Sequence, residues 1–216
     1  MIKGIIFDLD GTTANTIEDI KDSLNKTLAR NGFKERTSEE VRLSLGKGSL
    51  KLITDSVPEG TSEDIAKQLL AQYLEVYSNN YIVKTTPYEG IYDLLKNLKN
   101  RNVLLAVNSN KPDHLTKAIV KEFYPEIDFV EIVGNRDDLP RKPDPAGANL
   151  IIEKMGLDKS EVLYVGDSET DMQTAHNAGL KVIGCLWGFR DLQTLEENKA
   201  TYIVSKPEQI LDYLGE

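Results

Sequence analysis

Five short apolar runs, spaced along the chain and rich in Val, Ile and Leu, constrain the fold more than any other feature of the sequence. None of them alternates cleanly between apolar and polar residues, which is typical of strands buried on both faces of a parallel sheet. The runs are Gly4–Phe7, Val103–Asn108, Val162–Val165, Val182–Cys185 and Tyr202–Val204. Helical patterns separate them from about residue 87 onward. This alternation predicts a doubly wound α/β domain with a Rossmann-like parallel sheet.

The interval between the first and second runs is too long for an ordinary connection. It holds roughly 90 residues of mainly helical pattern, whereas a βα connection is usually a few residues plus one helix. The helical segments are Ile17–Ala29, Ser38–Leu45, Leu50–Val57 and Ser62–Tyr81. We therefore predict that residues 14–84 form an inserted helical cap and that residues 1–13 and 85–216 form the α/β core. Such an insertion lies over the carboxyl end of the first strand, where ligands bind in open α/β sheets.

Composition excludes several classes of partner. The formal net charge of −9 argues against nucleic acid, because an acidic surface repels phosphate backbones. No run approaches the length of about 18 apolar residues that a membrane span needs, so no membrane association is expected. The single cysteine, Cys185, is consistent with a reducing compartment and predicts a cytoplasmic protein.

Two carboxylates follow the first apolar run directly, in the segment Asp8–Thr12. Asp8 and Asp10 are suited to binding a hard cation together, and aspartate is a known covalent nucleophile for phosphoryl groups. An EF-hand calcium loop also begins D-x-D, but it needs glycine at position six and flanking helices. Here Gly11 is at position four and a strand precedes. An acidic turn without a function is the remaining alternative.

Two further segments carry candidate phosphate ligands. Ser109 and Asn110 follow the second run, where a hydroxyl and backbone N–H groups at a strand-to-helix turn can bind phosphate oxygens. The same residue types are also favoured as helix N-caps. Lys142, directly before Pro143, can offset the negative charge of a nucleophile and a phosphate held together. A solvated surface lysine is the simpler interpretation when Lys142 is considered alone.

The segment Gly166–Asp171 follows the third run. Asp167 at the strand end is placed to complete a magnesium site, and Asp171 lies one helical turn later. Acidic residues here would also cap a helix and complement its dipole. A functional site is favoured because all four polar segments are expected at one edge of one sheet.

In this order, the segments closely resemble the haloacid dehalogenase-like hydrolase superfamily, and the resemblance covers nearly the whole chain. Its motifs appear as Asp8–Thr12, Ser109, Lys142 and Gly166–Asp171. The inserted helices resemble the cap of subclass I, and Gly166–Gly179 is a specific signature of that subclass.

The resemblance implies a role for each motif residue. Asp8 would attack phosphorus and form an aspartyl-phosphate, while Asp10 would protonate the leaving alcohol and then activate water. Asp8, the backbone carbonyl of Asp10 and Asp167 would hold Mg²⁺, and Asp171 would support the metal site. The implied phosphate ligands are Ser109 and Lys142, and the neighbouring Asn110 is a further candidate for phosphate binding.

The acid at Asp10 also helps to distinguish which reaction of the superfamily this chain would catalyse. Its dehalogenases and phosphonoacetaldehyde hydrolases lack an acid there, so the resemblance favours phosphate-ester hydrolysis. Ser109–Pro112 and Arg141–Pro145 look like segments of phosphoglycolate phosphatases, which implies a small phosphorylated metabolite as substrate. A β-phosphoglucomutase would share most catalytic residues, and a non-catalytic phosphate-binding regulatory domain is a third alternative.

The glycine-rich segment Gly46–Ser49 is expected to be the cap loop that faces the substrate. Lys47 could there meet a second anionic group such as a carboxylate, although a plain helix–helix turn explains the segment equally well. The sequence leaves the oligomeric state open between monomer and homodimer.

Overall fold

The computed structural model describes residues 1–215, and a six-stranded parallel sheet forms the centre of that part of the chain. The strands are β1 Gly4–Phe7, β2 Ala14–Asn15, β3 Thr86–Pro87, β4 Leu104–Pro112, β5 Phe129–Asn135, β6 Val162–Gly166, β7 Lys181–Cys185 and β8 Tyr202–Val204. The sheet order is β5-β4-β1-β6-β7-β8, with all neighbours parallel. The predicted doubly wound α/β fold is confirmed.

The described residues form nine α-helices, and those that follow β3 cover both faces of the sheet. The nine are α1 Ile17–Arg30, α2 Ser38–Ser44, α3 Ser49–Ser56, α4 Glu63–Ser78, α5 Ile91–Asn100, α6 Asp113–Phe123, α7 Ala146–Met155, α8 Glu169–Ala178 and α9 Leu192–Glu197, with 3₁₀ helices at Lys159–Glu161 and Pro207–Tyr213. Side chains alternate along a strand, so Ile5 and Phe7 of β1 join one hydrophobic cluster with α5 and α6. Ile6 joins the opposite cluster with α7 and α8. Burial on both faces explains why the apolar runs lack polar alternation.

Two features of the sheet differ from the sequence-based expectation. Strand β4 continues beyond Asn108 to Pro112, so Ser109 and Asn110 lie within the strand and not in a turn after it. The edge strand β5 was not predicted. Only part of β5 is buried and it includes Glu131, so the sequence there lacks the continuous apolar character of a central strand.

The four helices α1–α4 pack around a third hydrophobic cluster, which Leu115 and Phe189 join from the rest of the chain. The chain leaves and re-enters the core through the antiparallel pair β2–β3. Beside that pair, the buried carboxylate of Asp19 on α1 accepts hydrogen bonds from the backbone N–H groups of Lys84 and Thr85 at 2.8–2.9 Å. These bonds hold α1 to the segment that precedes β3.

None of the helices in residues 1–215 combines the length and the apolar character needed to cross a membrane.

Candidate active site

The register of the sheet brings the segments Asp8–Thr12 and Gly166–Asp171 to the same edge. Phe7 of β1 lies opposite Val107 of β4 and Val165 of β6. The backbone N–H of Asp8, the next residue, donates to the carbonyl of Val165 at 2.9 Å. Because parallel strands end on the same side, the polar residues after β1, β6 and within the end of β4 converge there.

Lys142 lies between two of these carboxylates. Its Nζ is 2.9 Å from Asp8 Oδ1 and 2.7 Å from Asp171 Oδ1, and all three side chains are buried. Burial alone would lower the pKa of Lys142, but the charges of Asp171 and Asp8 raise it well above its ordinary value. Lys142 is therefore a fixed buried cation and not the solvated surface residue of the simpler interpretation.

Three buried carboxylates form a compact acidic cluster. Asp8, Asp167 and Asp171 each offer an oxygen, and these oxygens lie within 4.8 Å of one another. Burial and the charge of Asp171 raise the pKa of Asp8 to about 7, and Lys142 offsets only part of this effect. Burial, Asp171 and Asp8 also raise the pKa of Asp167 well above its ordinary value. The cluster therefore has excess negative charge that a cation bound to oxygen ligands would stabilise.

Asp171 orients the cluster through bonds to the protein itself. Its Oδ2 accepts hydrogen bonds from the backbone N–H groups of Asp167 and Ser168 and from the Ser168 hydroxyl, at 2.7–3.2 Å. Its Oδ1 accepts from Lys142. Ser168, and not Asp167, is the N-cap of α8, so the carboxylate of Asp167 is not used for capping. This arrangement fits a supporting role for Asp171 and leaves Asp167 as the more available ligand.

Two glycines permit this close packing. Gly11 has φ +85°, and a Cβ on it would lie 2.3 Å from Asp167 Oδ2. A Cβ on Gly166 would lie 2.3 Å from the Cβ of Asp171. Both contacts are far shorter than any side chain tolerates, so glycine is required where backbone and carboxylates meet.

Asp10 lies outside this cluster and has other partners. Its carboxylate accepts a hydrogen bond of 2.7 Å from the Thr16 hydroxyl and forms an ion pair with Lys111, whose Nζ is 2.8 and 3.0 Å from the two oxygens. No role for Lys111 was predicted from the sequence. The only available signal was its position beside Ser109, because the extension of β4 beyond Asn108 was not predicted.

A small cavity of about 40 Å³ lies between the core and the cap. Asp8, Asp10 and Ser109 line it from the core. The cap contributes α3, α4 and the loop before α3, with lining residues that include Leu45, Gly46, Gly48, Ser49, Leu52, Tyr73 and Tyr77. Room of this size accommodates about three water molecules, so the cap lies close to the core above the site.

Asn110 connects the two sides of this cavity. Its amide nitrogen donates to the carbonyl of Gly46 in the cap at 2.9 Å and to that of Lys142 in the core at 3.0 Å. The side-chain donor expected to meet phosphate is therefore engaged in holding the cap loop.

Lys47 lies away from the cavity that Asp8 and Asp10 line. Its half-exposed side chain pairs with Glu169 at 3.1 Å and borders a neighbouring cleft that includes Arg141. The structure thus brings Asp8, Asp10, Ser109 and the acidic cluster together and leaves Lys47 at the periphery.

A second contact between core and cap involves the loop after β7. Arg190 is 8% exposed and donates to the carbonyls of Leu43 and Leu45 at 3.2 and 2.9 Å. It also donates to Glu169 at 2.8 Å. Burial alone would raise the pKa of Glu169, but the bond to Arg190, the charge of Arg190 and the bond to Lys47 together lower that pKa. Nothing in the local sequence pattern distinguishes Arg190 as a residue that bridges two parts of the fold.

Comparison with known proteins decides the family. The family model "Haloacid dehalogenase-like hydrolase" matches residues 5–185 of this chain. This chain belongs to the haloacid dehalogenase-like hydrolases. The resemblance inferred from the motifs is confirmed, and the matched span includes every residue proposed for the site.

Curated members of the family cover most of the chain. "Phosphoglycolate phosphatase 1" of Pseudomonas aeruginosa is 29% identical over 213 residues, covering 96% of this chain and 78% of that protein. The "Phosphoglycolate phosphatase" of Mesorhizobium japonicum is 32% identical over 195 residues, covering 89% and 86%.

Solved structures of the family are similar throughout. A crystal structure of a "predicted phosphoglycolate phosphatase" from Haemophilus somnus is 29% identical with a TM-score of 0.90, covering 98% of this chain and 97% of that one. A Lactobacillus delbrueckii subsp. bulgaricus structure is 30% identical with a TM-score of 0.93, covering 98% of both chains. The haloacid dehalogenase-like core and its helical insertion therefore agree in arrangement as well as in sequence.

Proposed function

We propose that this chain is a magnesium-dependent phosphomonoester hydrolase that acts through an aspartyl-phosphate on a small metabolite of the phosphoglycolate type. One observation carries the proposal: Asp8 is buried 2.9 Å from Lys142 and lines the same cavity as Asp10 and Ser109. A nucleophile, a proton donor and a phosphate-binding hydroxyl therefore face one small space. The curated relatives named phosphoglycolate phosphatases support the substrate class.

The residues divide the reaction into two steps. In the first, a carboxylate oxygen of Asp8 forms a bond to phosphorus while the ester P–O bond breaks, and Asp10 donates a proton to the leaving oxygen. In the second, Asp10 takes a proton from water, the water oxygen bonds to phosphorus, and the Asp8–phosphate bond breaks. Ser109 and Lys142 hold the phosphate oxygens during both steps, so catalysis depends mainly on positioning and charge.

The acidic cluster fits Mg²⁺. Its donors are carboxylate oxygens, the ligand type that Mg²⁺ prefers. Burial, and after it the neighbouring carboxylates, raise the pKa values of Asp8 and Asp167, so their charged forms need a further counter-charge. Asp8, Asp167 and the backbone carbonyl of Asp10 would hold the ion, with Asp171 in support. Bound there, Mg²⁺ would neutralise and orient phosphate oxygens for in-line transfer.

A phosphosugar mutase remains the second candidate, since it would use the same catalytic residues. The names of the curated relatives favour the phosphatase, because those relatives are phosphoglycolate phosphatases. A regulatory domain without turnover is less well supported, because such a domain needs no leaving-group acid and Asp10 lies in the cavity.

Several expectations stay predictions. They are the boundaries of core and cap at residues 13/14 and 84/85, phosphate binding by Asn110, substrate contact by Lys47 and the cytoplasmic location. A small phosphorylated metabolite is the proposed partner.

The test is release of inorganic phosphate from 2-phosphoglycolate by the purified chain, with Mg²⁺ and with EDTA. We expect Mg²⁺-dependent turnover that Asp8→Asn lowers on the order of 10³-fold or more, with an unchanged circular dichroism spectrum. Magnesium-dependent turnover by Asp8→Asn at the wild-type rate would overturn the assignment. Isomerised sugar phosphate from β-glucose 1-phosphate, without free phosphate, would favour the mutase.

A further inference from the structure

Lys111 is a buried cation that lines the cavity, and the proposed reaction gives this residue no role. The residue is 5% exposed, and its ammonium group makes a two-oxygen ion pair with Asp10 in the core. On the cap side, the same ammonium lies 4.7 Å from the centre of the Tyr77 ring. Lys111 is thus held between core and cap, and its side chain is shielded from bulk solvent.

The position of Lys111 corresponds to the leaving-group side of the substrate. Ser109, the candidate phosphate ligand, precedes it by two residues on β4, and both residues line the cavity. Asp10, its ion-pair partner, is the proposed donor to the leaving oxygen. A cation bonded to that donor lies beside the atoms that are attached to the leaving oxygen.

Two further groups at this end of the cavity favour an anion. Tyr77 is 1% exposed and lines the cavity, and its hydroxyl has no hydrogen-bond partner within residues 1–215. Gly48 and Ser49, at the N-terminus of α3, also line the cavity. The first turn of α3 has no acidic residue and no side-chain cap, so its N–H groups and dipole remain available to a negative charge.

We propose that Lys111, the Tyr77 hydroxyl and the N-terminus of α3 form a subsite for a carboxylate on the carbon next to the ester oxygen of the substrate. Lys111 exchanges its bond to Asp10 for one to this carboxylate, and Asp10 is then free to serve the leaving oxygen. This inference rests on the proposed phosphatase function. It identifies the preferred substrates as small phosphorylated acids. Lys111 binds the carboxylate of these substrates, a role for which the sequence suggested Lys47.

The charges of the site explain why such a subsite matters. The chain has a net charge of −9, and the cavity holds the carboxylates of Asp8 and Asp10. A substrate with both a phosphate and a carboxylate needs a cation for each, because its two negative charges would otherwise meet this acidic surface. Lys142 is placed to serve the phosphate and Lys111 the carboxylate.

The test compares two esters that differ only in the carboxylate. 2-Phosphoglycolate and ethyl phosphate have the same carbon–oxygen–phosphorus skeleton, and kcat/KM is measured for both with wild type, Lys111→Met, Lys111→Arg and Tyr77→Phe. For Lys111→Met we expect a loss of about 10- to 100-fold on 2-phosphoglycolate, the range for a bond to a charged group. The loss on ethyl phosphate should be less than about threefold. Lys111→Arg should recover part of the preference, and Tyr77→Phe should lower kcat/KM several-fold on 2-phosphoglycolate only.

Lys117→Met is the matched control, because Lys117 is a half-exposed lysine on α6 paired with Asp113. It should leave both rates unchanged. Equal losses on the two esters in Lys111→Met would overturn the subsite and show that Lys111 acts only through Asp10. A wild type with equal kcat/KM for the two esters would overturn it while leaving the phosphatase function intact. A wild type that hydrolyses no phosphate ester would overturn the phosphatase function itself, and the subsite with it.

Discussion

The backbone N–H of Phe189 donates a hydrogen bond of 2.7 Å to Asp167 Oδ2, a carboxylate oxygen of the acidic cluster. The ring of Phe189 is 4% exposed and packs within the hydrophobic cluster of the cap. One residue therefore contacts both the candidate metal site and the cap. Movement of the cap away from the core would pull on the loop that orients Asp167.

Phe189→Ala should weaken both the cap packing and the magnesium site. Loss of a buried aromatic side chain costs about 3–5 kcal/mol in the free energy of unfolding. Because the loop also orients Asp167, the magnesium concentration needed for half-maximal activity should rise several-fold. Urea denaturation and magnesium titration of the phosphatase rate measure the two effects. Leu192→Ala, at a 47% exposed position nearby, is the control and should change neither; a purely structural Phe189 would change stability alone.

Magnesium should stabilise the protein more as the pH rises. The pKa of Asp8 is raised to about 7, whereas an unfolded aspartate titrates near pH 3.9. The folded state of the metal-free protein therefore retains a proton that the unfolded chain releases. This contribution to stability is complete below about pH 4 and is lost as the pH rises through about 7.

The measurement is the melting temperature between pH 5 and pH 8, with and without MgCl₂. The increase caused by Mg²⁺ should be larger at pH 8, where the carboxylates are ionised. Asp8→Asn, which removes the titrating group, should show a smaller pH dependence. A magnesium effect that is equal at both pH values would contradict this account.

Lys142→Met should leave Asp8 and Asp171 buried without their shared cation. Removing one partner of a buried ion pair costs about 3–5 kcal/mol, and the loss should be greatest at pH 8. Lowering the pH should recover part of it, since the raised pKa of Asp8 lets that carboxyl become neutral. Urea denaturation at pH 5 and pH 8 measures the difference. Lys154→Met is the comparison variant, because the ion pair of Lys154 with Glu131 is half-exposed on the lysine side and should contribute about 1 kcal/mol or less.

Arg190→Met should loosen the closed cap. Arg190 donates to cap carbonyls and to Glu169, and methionine retains the length of the side chain but none of the donors. We expect faster proteolytic cleavage in residues 42–49 and a KM for 2-phosphoglycolate that rises about tenfold, as for the loss of a bond to a charged group. Proteolysis and KM equal to those of wild type would mean that Arg190 does not hold the cap.

Much of the architecture follows from local pattern. Hydrophobic runs without polar alternation predicted β1 and β8 with the bounds that the structure has, and the long helical interval predicted α1–α4. The features that were not predicted have physical causes. Edge strand β5 is only partly buried, so its sequence carries a weak signal. The extension of β4 through polar residues depends on pairing with β5, which no local pattern reveals.

The sequence by itself determined which residue types stand near the carboxyl edge of the sheet: Asp8, Asp10, Ser109, Asp167 and Asp171. The tertiary structure decided their partners. It paired Lys142 with the nucleophile candidate, Lys111 with Asp10, and the backbone of Phe189 with Asp167. The physical reason is the separation of the partners along the chain. A strand end is specified by a few neighbouring residues, whereas each of these pairs joins segments at least 22 residues apart. Only the packing of the sheet and the closure of the cap bring such charges within hydrogen-bonding distance.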